Sequence, residues 1–185
     1  WGFDGSQLHP PSFSAWCKMQ LGWVNPVVIS PGTYNVPQVN TNQTIYRINH
    51  NYPSGEYLLI ENRQPFGFEN IMPQGGLFVW HIDEDKGGNT DQGFPGQAGW
   101  PENNNHYRVA LLQADGDYDL EHGGGSDSGD PYRSPVSTLL GNTTVPNTYR
   151  YQDGDVSPTG NTITAISTSS NTMSFTYTRP NFDCN

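Results

Sequence analysis

With 185 residues the chain is long enough for one domain with a real core, and its formal net charge of −10 makes nucleic acid and anionic membrane surfaces poor partners. Only 14% of residues are charged, and the polarity comes from Asn, Thr, Ser and Gln with 21 Gly and 15 Pro, the composition of a loop-rich β domain rather than a helical bundle. Five Trp, 10 Tyr and 8 Phe argue against disorder, and no apolar run is long enough to span a membrane as a helix.

The chain opens on Trp1-Gly-Phe-Asp without an initiator Met, which reads as the later part of a longer precursor. Two sequons, at Asn42 and Asn142, fit a secreted glycoprotein, although they also arise by chance in a chain this rich in Asn and Thr. Cys17 and Cys184 then suggest a disulfide, with a buried free thiol at Cys17 as the competing reading.

In chain order, Pro10 and Pro11 lead into a short helix over 13–21 closed by Gly22, with Phe13, Trp16, Cys17 and Leu21 as its expected buried stripe. Strands are predicted at 27–30, 32–36 and 44–49. Two apolar runs follow, Glu56–Gln64 and Gly75–Asp85, and they read as the central strands. Alternation puts Tyr57, Leu59, Glu61 and Arg63 on one face of the first and Leu58, Ile60 and Asn62 on the other. In the second, Leu77, Val79, His81 and Asp83 share a face opposite Phe78, Trp80 and Ile82. Apolar residues on both faces mark doubly covered strands. Buried ionisable groups must be paired, so Glu61, Arg63, His81 and Asp83 are expected to form one satisfied structural cluster on neighbouring strands. A polar loop over 86–105 is long enough to be either functional or tied down by contacts or ions. A further strand is predicted at 107–113, and closing strands at 148–151, 162–167 and 172–178. The fold expected is a mainly β, antiparallel sandwich-like domain with one short N-terminal helix, a single domain over 1–185 with no internal repeat.

Between Asp115 and Asp130 six carboxylates, Asp115, Asp117, Asp119, Glu121, Asp127 and Asp130, are interleaved with Gly. Their mutual repulsion favours a bound hard cation, and calcium accepts 6–8 oxygens in flexible geometry. Asp115, Asp117, Asp119, Asp127 and Asp130 are the expected calcium ligands, with Glu121 less suited; a solvated acidic loop is the alternative. The Asp-x-Asp-x-Asp start is not an EF-hand, since Leu120 stands where Gly is needed and Ser126 where the final Glu should be. His9, His50, His81, His106 and His122 include no pair at zinc-helix spacing, and there is no Gly-x-Ser-x-Gly elbow or phosphate loop.

Leu8–Trp23, Tyr57–Gln64, Gly76–Asp83, Leu112–Gly116 and Ser128–Pro131, with Asn161–Ser167 and Met173–Phe175 in the tail, resemble the later half of the catalytic domain of the immune inhibitor A family, secreted zinc metallopeptidases of the metzincin kind. Their zinc helix, His-Glu-x-x-His, lies upstream of the matching segments, so the resemblance places no catalytic residue in this chain. It implies a helix of the catalytic subdomain over 1–23 and a β portion over 24–185, the C-terminal portion of a secreted metalloendopeptidase. Zinc and a polypeptide substrate would enter only through the upstream part of the same precursor, itself the implied partner. A structural or assembly glycoprotein on the same scaffold is the alternative, and a carbohydrate-binding β module a third.

Overall fold

The structure, a computed structural model, describes residues 12–180. Among them the chain forms two β-sheets and one α-helix. Strands β1 (Val27–Val28), β3 (Tyr46–Ile48), β4 (Glu56–Arg63), β5 (Gly76–Asp83) and β6 (Val109–Leu111) make a five-stranded sheet in the order β1-β3-β4-β5-β6. Strands β2 (Gly32–Pro37), β7 (Thr162–Thr164) and β8 (Thr172–Thr178) make a second, ordered β2-β8-β7. Pairing is antiparallel throughout except between β1 and β3.

The alternation read from the sequence governs the packing. Leu58, Ile60, Leu77 and Val79 meet Val36, Ile163, Met173, Phe175 and Tyr177 of the second sheet in the core between the sheets. Tyr57, Leu59, Phe78, Trp80 and Ile82 turn to the opposite face, covered by Ala15, Val24 and Ile45. All sixteen residues of β4 and β5 are buried, which is what two covered faces require. The sandwich-like, mainly β fold is the expected one.

The helix α1 (Ala15–Gln20) is shorter than predicted. Ser14 caps it, its Oγ accepting the Cys17 N–H. The expected stripe holds only in part: Trp16 lies against the sheet and Cys17 is half-buried, but Phe13 is 53% exposed and Leu21 52%, and Ala15 and Met19 complete the inward face instead. Six residues make under two turns, so one small residue suffices to seat the helix on β4. The segment 148–151 contributes only a bridge, Arg150 to Ser157.

The loop 86–105 is tied down by contacts. Lys86 Nζ holds Asp91 Oδ2 (3.0 Å) and the Asn104 carbonyl (2.9 Å), Trp100 stacks on Tyr151, and Gly93 lies so close to the Asn105 carbonyl that no side chain fits between.

Candidate functional site

The acidic segment leaves the sheet just past β6 and is stitched at its neck, where the Ala114 N–H donates to the Asp130 carbonyl (2.9 Å). Gly116, at φ +79, makes the turn that follows; an added Cβ would stand 2.7 Å from the Val145 carbonyl. The return through Asp127 brings Asp115, Asp127 and Asp130 together, one carboxylate oxygen of each within 4.8 Å of the others. Gly129 permits this, since a side chain there would strike the Asp115 carboxylate. Asp130 is 2% exposed, and its Oδ2 accepts the Asp127 N–H (2.8 Å). Burial pushes its carboxyl up to about 6; the Asp127 N–H opposes this, and the charges of Asp115, Asp127 and Asp119 add to it. Three hard oxygen donors around a buried, destabilised charge are a set that suits calcium.

Asp117 and Asp119, expected as ligands, stand outside this triad. Tyr118 takes a left-handed conformation (φ 55), so the alternation that would aim three Asp residues at one point is broken. Residues 118–124 instead close a separate turn, with His122 N–H on the Tyr118 carbonyl (3.0 Å) and Gly124 N–H on the Asp119 carbonyl (2.7 Å). Asp117 is exposed, its N–H donating to Asp115 Oδ1 (3.2 Å). Glu121 is buried against Gln113 Nε2 (2.6 Å), and burial raises its carboxyl.

The four charged residues expected to cluster on the central strands form two separate networks. Register places Glu61 beside Phe78 and His81 beside Leu58, so each pair takes the face of its apolar neighbours. Glu61 Oε1 accepts the N–H of Ala15 (3.2 Å) and Trp80 Nε1 (3.0 Å), while its Oε2 faces Lys18 Nζ (3.2 Å). Arg63 Nη1 stands 3.7 Å from Glu61, and its Nη2 bonds Glu69 and the Ser12 carbonyl. On the other face His81 Nε2 meets Glu56 Oε1 (2.7 Å), which also accepts the Tyr151 N–H (2.7 Å). His106 Nε2 meets Asp83 Oδ2 (2.8 Å), and the two imidazoles lie 6.0 Å apart. Burial would raise the Asp83 carboxyl, but hydrogen bonds from His106, Gln152 and the Asp85 N–H outweigh it and hold it below its usual range. Lys18, Glu56, Glu69, His106 and Tyr151 were not legible as members of these networks: Lys18 comes from the helix and Glu56 from the first position of β4, and Glu69, His106 and Tyr151 come from segments that no strand or helix periodicity marks.

Zinc does not fit the described residues. The paired imidazoles have their Nε2 atoms taken by carboxylates, and the one group among those residues close enough to share an ion is entirely carboxylate. Asn42 is exposed, its Oδ1 accepting the Thr44 N–H (3.0 Å). Asn142 is half-buried, its Oδ1 accepting from Thr148 Oγ1 (3.0 Å). Cys17 is a partly exposed thiol, and Cys184 lies outside the described residues. No family model, no curated protein and no solved structure matches the chain.

Proposed function

We propose that the chain is the β portion of a secreted zinc metallopeptidase of the immune inhibitor A kind, stiffening the polypeptide behind an upstream zinc subdomain and stapled by calcium at Asp115, Asp127 and Asp130. The observation that carries the reading is where its resembling segments fall. Tyr57–Gln64 and Gly76–Asp83 cover the paired, buried central strands, and Leu112–Gly116 and Ser128–Pro131 supply Asp115 and Asp130 of the carboxylate cluster. The resemblance therefore runs through the residues on which the sheet and the acidic turn depend.

In this reading the chain supplies no catalytic group. Its part is mechanical: a doubly covered sheet resists bending, and a cation joining the neck and return of the acidic segment fixes the edge beside β6. The experiment is the sequence of the natural protein ahead of Trp1, together with casein cleavage by that longer protein before and after chelation. A His-Glu-x-x-His segment and zinc-dependent cleavage are expected. A precursor without that segment would overturn the reading in favour of a non-catalytic extracellular scaffold.

A further inference from the structure

We propose that the aromatic cavity bordered by Trp100, His106, Tyr118 and Tyr151 binds a small primary ammonium ion, caged by the rings and donating one N–H to His106 Nδ1. The inference is independent of the reading above. The cavity measures about 40 Å³, room for about three water-sized groups. Its walls come from segments far apart in the chain. The loop over 86–105 supplies Trp100, the turn after β6 supplies Tyr118 and Glu121, and Tyr151 follows the acidic segment. A loop of that length held in place by contacts is the kind that builds binding sites.

The rings meet at a corner rather than in one stack. Trp100 lies 6.1 Å from Tyr151 at an interplanar angle of 29°, and 6.1 Å from Tyr118 at 77°. The face of an aromatic ring is the negative end of its quadrupole, so rings set around a small dry space attract a cation. Tyr118 takes its place through a left-handed backbone (φ 55). Outside glycine that conformation is uncommon and persists where the surroundings impose it, as at ligand clamps.

The polar groups of the wall call for a donor with positive charge. Asp83, held ionised by its hydrogen bonds, can only accept, so His106 Nε2 donates to it. In the neutral ring the other nitrogen, Nδ1, is then a bare acceptor, and it is buried with no partner among the described residues. A stranded acceptor on a residue only 8% exposed is costly, and a donor from a ligand relieves that cost. The same wall carries the buried Glu121, and among the described residues it carries no Lys or Arg. Burial raises the Glu121 carboxyl, and its charge adds to the burial that pushes the Tyr118 hydroxyl up. A water molecule would satisfy the imidazole but neither the carboxylate nor the rings. An ammonium group answers all three.

The test titrates the whole chain with ethylammonium chloride at neutral pH, with ethanol as the neutral isostere and tetramethylammonium as a cation lacking N–H. Ethylammonium should bind about tenfold or more tightly than either, the margin expected of a desolvated cation on aromatic faces. In long-range ¹H–¹⁵N spectra it should shift the His106 Nδ1 resonance and leave that of His50 in place. Tyr118→Phe keeps the ring and should bind like the parent. Tyr118→Leu keeps an apolar wall without the ring and should bind about tenfold more weakly. Nα-acetyl-lysinamide carries the same ammonium on a longer stem: binding equal to ethylammonium would assign the cavity to a lysine side chain of a protein partner, and exclusion would assign it to a free amine. Equal binding of ethanol or an unmoved His106 Nδ1 resonance would overturn the proposal. So would ethylammonium contacts confined to Asp115, Asp127 and Asp130, which would reduce the effect to attraction by an acidic loop.

Discussion

Replacing Asp130 by Asn should change the protein's stability in opposite directions with and without calcium. In the folded chain this carboxyl ionises near pH 6 rather than at its ordinary 3.8, chiefly because it is buried. Each pH unit of that difference is worth about 1.4 kcal/mol, so the ionised form costs the calcium-free fold about 3 kcal/mol at neutral pH. The carboxamide would remove that cost and weaken the charge-assisted bond from the Asp127 N–H, a loss of about 1 kcal/mol. The net gain is about 2 kcal/mol, or roughly 4–8 °C in Tm for a chain of this size. In millimolar calcium the sign reverses. A site with Kd of about 10 μM stabilises the parent by roughly 2.7 kcal/mol, and the variant loses one of its three carboxylates. The pH dependence follows the same logic. Because the folded pKa lies above the unfolded one, the calcium-free parent should gain stability as the pH falls from 7 through 6 towards 4. With calcium present that gain should vanish, since protons then displace the ion. Calorimetric melts of parent and Asp130→Asn in EGTA and in calcium, at pH 7 and pH 5, are the assay. A variant destabilised equally in both media would refute the reasoning and leave Asp130 a plain hydrogen-bond acceptor.

Arg63→Ala should destabilise the fold by about 3–5 kcal/mol, because Glu61 and Glu69 stay buried after losing their shared cation; a urea midpoint matching the parent would show that the network is not coupled to folding. Gly93→Ala should cost about 1–3 kcal/mol, since the new methyl group meets the Asn105 carbonyl, a backbone atom that cannot swing aside. The Trp fluorescence should shift as Trp100 loosens from Tyr151, and an unchanged spectrum and melt would mean the loop adapts freely.

Period-two alternation determined the two central strands from the sequence alone, because side chains on a strand have only two faces to choose from. Leu58 and Ile60 went to one core and Tyr57 and Leu59 to the other, as that pattern requires. The composition likewise carried the mainly β class. What alternation cannot supply is direction and register. Both strands become polar towards their C-terminal ends, and antiparallel pairing sends those ends to opposite ends of the strand pair. Glu61 and Arg63 therefore found Lys18 and Glu69, while His81 and Asp83 found Glu56 and His106. In the acidic run the sequence marked where carboxylates concentrate, but the backbone reversal at Tyr118 decided which of them converge. Register and convergence alike are set by contacts between residues far apart in the chain, and local sequence pattern carries no record of them.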